Sequence, residues 1–439
     1  MAFVLGTEEN LLLPNELSFQ GSVTTLGLRT HALSRLSLSP LVLGTILLFQ
    51  CSNSLPEGWD KKDGGSGGSL AGTSGEGGEA QGGTSTGGSA GTDAGTGGTG
   101  EPYMLGADIS SVQEEIDKGT LYADTDGTTQ GIVDILKNHG FNYVRLRTFV
   151  SPMAQFGYAM GTGGACMKGE AYCDRDHTLE FGQQIKAAGM GFLLDFHYSD
   201  TWADPGKQII PEPWRNAASI DELAALLKAY TQDVVSTLVE GGARPDMVQI
   251  GNEITPGMLI HVPSGSTDCW GNNSVQNGIT GSTARWDDLA TLLNAGIEGV
   301  KAVDEDIKIV LHIENTESKS GVINWVNNAQ SRGVEFDVLA LSCYPEWQGT
   351  SATWRDTFQT LATTFPELSF AIAEYNPERR EANQIMRDLP DGRGLGTFIW
   401  EPTQSGVWGP SLFTFVNGAY HANSADFAEF DAMKVDFGL

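Results

Sequence analysis

The chain is poor in positive charge. Its 439 residues hold 26 Lys and Arg against 55 Asp and Glu, a formal net charge of -29. Binding a phosphate backbone needs a basic surface that releases counterions, so the charge argues against nucleic acid as a partner. It argues equally against adhesion to anionic lipid through a basic patch. Cysteine is scarce too: 5 residues in a chain of this length do not make a disulfide-stapled scaffold. The apolar stretch Leu36 to Phe49 is interrupted by Ser37, Ser39 and Pro40 and is shorter than the roughly 20 residues a spanning helix needs. What remains is a chain long enough for a large core, with a surface that suits a neutral ligand better than a polyanion.

Glycine is unevenly spread. From Asp63 to Gly100, 17 of 38 residues are Gly, and nearly all others are Ser, Thr, Ala, Asp or Glu. Such a stretch has almost nothing apolar to bury and does not offset its ordering entropy. Residues 52–100 are therefore expected to form a disordered Gly-rich linker. Ahead of it, Arg29-Thr-His-Ala-Leu-Ser-Arg35, the apolar run and Gln50-Cys51-Ser52 have the order of a secretory signal. Residues 1–51 are thus read as an export signal region. Cys51 stands where a lipoprotein carries its acylated cysteine, although Leu47, Leu48, Phe49 and Gln50 are bulkier than usual there. Lipidation and a lipid anchor to the membrane, or simple secretion, both stay open. Either places the protein outside the cell or on its surface, outer membrane included.

Residues 101–439 alternate short apolar β-rich runs with helical patterns. The runs are Met104–Ser110, Asn142–Arg147, Gly191–His197, Asp246–Glu253, Lys308–Ile313, Asp337–Tyr344, Ser369–Glu374 and Gly394–Trp400. Between them, 131–139, 178–188, 220–240, 286–303, 321–332, 353–365 and 382–388 read as helices, with Asp221 and Glu222 in a first turn as the helix dipole prefers. Strand–helix alternation implies parallel strands with crossover helices, and eight repeats predict an α/β fold, the (β/α)8 TIM barrel. No Gly-rich fingerprint follows the first run, which argues against a dinucleotide-binding sheet.

The ends of the runs carry the chemistry. They finish in Asp108, Arg145 and Arg147, His197, Asn252 and Glu253, His312 and Glu314, Tyr344, Glu374, and Trp400 with Glu401. In a barrel these ends meet at one face, and charged groups there are costly unless they pair or work. Glu253 on run four and Glu374 on run seven stand across that mouth. Two such carboxylates suit glycosidic bond cleavage, at a separation of about 5–5.5 Å when configuration is retained. Glu253 is then the acid/base and Glu374 the nucleophile, held ionised by Arg145 and Tyr344. Asn252 is placed to bond the sugar 2-hydroxyl.

These residues resemble the retaining (β/α)8 glycoside hydrolases. More narrowly, the chain resembles the arabinogalactan endo-β-1,4-galactanases of glycoside hydrolase family 53. The most specific segment is Leu194-Asp-Phe-His-Tyr-Ser-Asp-Thr-Trp-Ala-Asp-Pro-Gly-Lys-Gln208. Gly106-Ala-Asp-Ile-Ser-Ser111, Val144-Arg-Leu-Arg147, Ile250-Gly-Asn-Glu-Ile254, Ala295-Gly-Ile-Glu-Gly-Val-Lys301 and Phe398-Ile-Trp-Glu-Pro402 support it. The resemblance implies galactan, the pectin side chain, as substrate and partner, and repeats the roles of Glu253 and Glu374. It implies that Asp108, Arg145, His197, Asn252, Tyr344 and Trp400 line the cleft. Glu374-Tyr-Asn-Pro-Glu-Arg-Arg380 departs from the family, where Glu-Thr and an aromatic are expected. No cofactor is implied. Some bacterial members hold structural calcium, but no dense Asp/Asn cluster here demands it. A monomer is expected.

Other residues have plainer readings. His197 is expected to bond Glu253 or a sugar hydroxyl. His312 and Glu314 lack a third ligand and do not make a zinc site. Trp202, Trp214, Trp270, Trp347, Trp400 and Trp408 fall near the barrel mouth, with Trp347 and Trp400 the best candidates for sugar-stacking walls. Cys166 and Cys173, with six residues between them, are expected to form a local disulfide in an exported protein, against two free thiols as the alternative. Cys343 reads as a small buried hydrophobe, and Cys269 has no evident partner. A related endo-glycanase acting on mannan or β-glucan, and a non-catalytic carbohydrate-binding barrel, are the competing functions.

Overall fold

The computed structural model describes residues 102–160, 171–263, 275–276, 285–403 and 411–439. All lie in the larger of two units, Gly72–Leu439. The export region, the linker, Cys51, Cys166, Cys269, Trp270 and Trp408 lie outside the described residues. Among the described residues no helix is long and apolar enough to cross a membrane.

Eight parallel strands close a barrel. They are β1 Met104–Asp108, β2 Tyr143–Thr148, β3 Gly191–Phe196, β4 Met247–Ile250, β5 Lys308–Ile313, β6 Val338–Cys343, β7 Ser369–Tyr375 and β8 Gly394–Trp400. Each strand pairs with its neighbours in chain order, and β8 returns to β1. Besides a short helix at Val112–Asp117, the helices outside the ring are α1 Ile132–Asn138, α2 Arg175–Ala187, α3 Ile220–Glu240, α4 Trp286–Lys301, α5 Lys319–Gln330, α6 Ser351–Thr364, α7 Arg379–Arg387 and α8 Ser424–Phe437. In α3, Ser219 accepts from Glu222 N and satisfies one of the otherwise unpaired amides of the first turn.

Two differences from the sequence reading matter. The fourth strand stops at Ile250, so Gly251-Asn252-Glu253 is a bend beyond it. The eighth helix, α8, escaped the sequence reading because two strands, Phe413–Val416 and Ala419–Ala422, which form a three-stranded sheet with Leu121–Ala123, separate it in the chain from β8. Its Phe427, Phe430 and Met433 recur every third residue and are buried. Phe430 packs against Phe141 at 4.6 Å between ring centroids.

The period of two along each strand sorts the core into shells. Residues such as Leu105, Val144, Leu194, Val248, Leu311 and Leu339 join the layer between strands and helices. Met104, Leu193, Met247, Val310, Val338 and Phe398 fill the barrel interior. Gly106, two residues on from Met104, faces that interior too, and only glycine fits there, since a Cβ would lie 2.4 Å from the Phe398 ring. Toward the carboxyl ends the inward positions switch from apolar to polar, and the site begins there.

Candidate active site

The inward positions one step further up the strands are Asp108, Arg145, Asp195, Gln249, His312 and Ser342, all buried. Arg145 stands at their centre. Its Nη1 donates to Asp108 Oδ2 at 2.8 Å and to Glu374 Oε1 at 3.0 Å. Its Nη2 donates to Asp195 Oδ2 and Asn252 Oδ1, both at 2.8 Å. Its Nε donates to Gln249 Oε1 at 3.2 Å. A guanidinium has five N–H groups, and all five are used. Burial opposes the charge, but Asp195, Glu374 and Asp108 outweigh it and raise the Arg145 pKa. For Asp195, burial is likewise outweighed by Arg145 and then His197, and its pKa is lowered.

Arg147, two residues on, faces the same interior. Its Nη1 donates to Glu401 Oε1, and its guanidinium lies 3.9 Å from the Trp202 ring centroid. Glu401 in turn accepts from Ser111 N at 3.1 Å. Trp202 meets Trp400 edge-on at 6.1 Å, forming one wall of the mouth.

Glu374 enters this interior through an irregularity. Ile372 pairs with Leu341, yet Glu374 pairs with Ser342, a register shift within β7. Ala373 and Glu374 both face inward as a result, whereas strict alternation would turn Glu374 toward the helices. Glu374 Oε2 accepts from the Tyr344 hydroxyl at 3.0 Å, opposite the oxygen held by Arg145. Tyr375, where the sequence departs from the family, lies on the helix side and receives Asn383 Nδ2 at 3.2 Å.

Glu253 arrives by a different device. Gly251 has φ 83° and Glu253 itself φ 49°. Left-handed backbone at a non-glycine residue is strained, and such strain gathers at functional sites. Tyr198 and Glu401, just past β3 and β8, are left-handed as well, at φ 48° and 41°. Glu253 as a whole residue keeps partial access to the mouth. Its Oε1 lies 2.7 Å from Ser342 Oγ, the residue paired with Glu374.

The two carboxylates sit in opposite surroundings. Burial first, then the charges of Glu374 and Glu314, push the Glu253 pKa well above the ordinary value, with only Ser342 pulling it down. The Glu374 pKa is raised as well, by burial and by the charges of Asp108 and Asp195, but here the Arg145 guanidinium, and to a lesser degree the Tyr344 hydroxyl, holds the rise back. The pair therefore holds its first proton on Glu253. Glu314 is a third acid nearby, raised to about 7 chiefly by burial.

The remaining candidates are placed as follows. His197 does not reach Glu253 or the open mouth. Its Nδ1 accepts from Ala203 N at 2.8 Å and its Nε2 faces Asp195 Oδ2 at 3.1 Å. The buried loop amide needs that acceptor. Asn252 Nδ2 donates to Ala203 O at 2.9 Å, which pins the same loop. Trp347 is 60% exposed beside Tyr344. Trp214 is core, packed edge-on against Tyr230 at 5.6 Å. Cys173 is a buried free thiol whose Sγ lies 3.6 Å from Ser110 O; Cys166 is outside the described residues. Cys343 is buried and free. Among the described residues no three His, Cys, Asp or Glu side chains are placed to hold a metal ion, so no calcium or zinc site is assigned. Sequence reasoning missed Asp195, Gln249 and Ser342; their shared inward register was the available signal.

The sequence pattern described as glycosyl hydrolase family 53 matches residues 104–385. The chain belongs to that family. It is 32% identical over 332 residues to an endo-beta-1,4-galactanase of Bacillus subtilis (strain 168), covering 68% of this chain and 70% of that one. It is 30% identical over 329 residues to an arabinogalactan endo-beta-1,4-galactanase of Thermothelomyces thermophilus, covering 68% of this chain and 88% of that one. A GH53 catalytic domain from Ignisphaera aggregans is similar in structure, with a TM-score of 0.60 at 30% identity over 76% of this chain and 98% of that one. In this family 53 hydrolase, Arg145 is, among the described residues, the single cation paired with both the interior acids and Glu374. Arg145→Ala leaves three carboxylates without their partner, and a loss of about 3–5 kcal/mol is expected. Urea unfolding measures it; an unchanged midpoint would contradict the hub.

Proposed function

We propose that the protein is a retaining endo-β-1,4-galactanase that cleaves galactan, the neutral side chain of pectin, by double displacement. The observation that carries this is the pair Glu253 and Glu374: two acids at one barrel mouth, linked through Ser342 and held in contrasting electrostatic surroundings. The galactanase names of the similar proteins from Bacillus subtilis and Thermothelomyces thermophilus support the choice of sugar.

Glu374, with one oxygen on Arg145 and the other on Tyr344, is the nucleophile. It attacks the anomeric carbon while Glu253 gives its proton to the departing glycosidic oxygen. The C–O bond breaks, and a glycosyl ester forms on Glu374. Glu253, now a carboxylate, takes a proton from water, which attacks the same carbon and frees Glu374. Asn252 is assigned to the 2-hydroxyl through its second amide hydrogen, the first being spent on Ala203 O. The excess of carboxylates over guanidinium groups around the cleft favours a cation-like transition state. Trp347, and Trp400 beside Trp202, are assigned as stacking walls for the sugar rings.

The N-terminal signal pattern supports export, with Cys51 either lipidated or removed. Mass spectrometry of the mature N-terminus checks this: an acylated Cys51 or a start beyond it is expected, and an intact residue 1 refutes export.

Galactan digestion is expected to release galacto-oligosaccharides; activity confined to mannan or β-glucan removes the substrate assignment. Glu374→Ala is expected to keep its circular dichroism and lose kcat by about 10⁴-fold. Binding without turnover in the unaltered protein would support a binding barrel instead. The pH profile of kcat/KM carries its own sign. Activity needs Glu374 ionised and Glu253 protonated, so it falls as pH drops through the first group and as it rises through the second. Because the Glu253 pKa is raised, the alkaline limb is expected well above the ordinary carboxylate value of about 4.3. A limb at that value would mean another group supplies the proton.

A further inference from the structure

The hydrogens around Ser342 do not match the acceptors around it. Asn252 Oδ1 accepts from Arg145 Nη2 at 2.8 Å, which fixes the amide orientation, since a flip would set NH2 against the guanidinium. The same Oδ1 lies 2.9 Å from His312 Nδ1. Gln249 Nε2 also lies 3.4 Å from Nδ1, but its two hydrogens are spent on Asp195 Oδ1 and Gly251 O; an amide oxygen only accepts, so Nδ1 carries the ring hydrogen. His312 is fully buried, and burial followed by the Arg145 charge keeps the ring neutral. Its Nε2 is therefore a lone pair, and it faces Ser342 Oγ at 2.9 Å. Ser342 Oγ also lies 2.7 Å from Glu253 Oε1. One hydroxyl hydrogen thus has two acceptors.

We propose that Ser342 is a two-position rotor, set by His312, that holds Glu253 as an acid and then receives it as a carboxylate. With the proton on Glu253 Oε1, that O–H donates to Ser342 and Ser342 donates to His312 Nε2; every group is satisfied. Once Glu253 has turned its O–H to the cleft and lost the proton, the Ser342 hydrogen swings to Oε1 and the His312 lone pair is left facing oxygen. The proton taken from water in the second step restores the first arrangement. No proton passes along the chain; only the direction of its hydrogen bonds reverses. Ser342 and His312 are positioning residues, and their role rests on the reading of Glu253 as the acid/base.

Other charges face these groups from every side. Glu374 on β7, Glu314 past β5 and Asp204 in the loop after β3 act on Glu253, as does Tyr344 past β6. Arg145, Asp195 and His197 act on His312. All are retained in the variants below, so a shift reports on the rotor.

The test is the alkaline limb of kcat/KM. His312→Phe frees the Ser342 hydrogen to serve the carboxylate at all times, and the limb is expected to fall by about one pH unit. Adding Ser342→Ala to His312→Phe is expected to undo that fall. Ser342→Ala alone removes a partner from both forms of Glu253, and only a small shift is expected. A limb unmoved in His312→Phe, or raised by about a unit in Ser342→Ala alone, would make the hydroxyl a plain donor to Glu253 and overturn the rotor. A second readout needs no variant: the ¹⁵N spectrum of the histidines in the intact protein is expected to show His312 neutral with its hydrogen on Nδ1, and a hydrogen on Nε2 overturns the proposal. Glu253→Ala separates the two readings. Full turnover in that variant sinks the acid/base assignment while the ¹⁵N result stands by itself.

Discussion

A single guanidinium organises the mouth of this barrel. Burying an arginine among carboxylates carries a desolvation penalty of several kcal/mol per ion, and only complete hydrogen bonding offsets it. Arg145 meets that condition with acceptors drawn from β1, β3, β4, the bend after β4 and β7. Each contact fixes the far group as much as the arginine. Glu374 is oriented, Asn252 is locked in one amide orientation, and the His312 tautomer follows from Asn252. A lysine offers a point charge without the planar fork and does not reproduce this pattern.

The acids around the arginine differ because their neighbours differ. Asp195 accepts from a guanidinium, an amide and an imidazole, so it stays ionised despite complete burial. Glu374 has one cation and one phenol. Glu253 has a hydroxyl on one side and further carboxylates within electrostatic reach. A graded set of proton affinities results from three residues of closely similar intrinsic acidity. Glu401 repeats the theme less completely with Arg147: burial raises its pKa, and the Arg147 charge offsets only part of that rise.

Backbone irregularity delivers the two central side chains. A regular strand presents every second residue to the interior, and a regular strand end presents its last residue wherever the pleat leaves it. Glu374 needs the register shift in β7, and Glu253 needs a left-handed bend after β4. Both features sit at the carboxyl ends of otherwise regular, well-packed strands, so the strain rests on a rigid base.

The sequence by itself determined the architecture. Eight apolar runs at regular spacing, the first seven each followed by a helical period, leave few ways to bury that much apolar surface other than a closed ring of parallel strands, and polar residues at the run ends located the mouth. Local periodicity carries that information because burial of an element depends on its own pattern. It did not carry the order of hydrogen bonds. Asp195 and Gln249 look like ordinary strand residues until the barrel closes and sets them around Arg145. His197 looks like a site residue until the loop amide of Ala203 claims its Nδ1. Glu374, counted by strict alternation from Ile372, belongs on the helix side; only pairing with β6 and β8 introduces the shift that turns it inward. Tertiary structure decided these points because each depends on which partner the closed barrel and its loops bring up, whether six residues away, as for His197 and Ala203, or more than a hundred, as for Gln249 and Arg145, and a linear pattern records a residue's own preferences without recording which donor reaches it first.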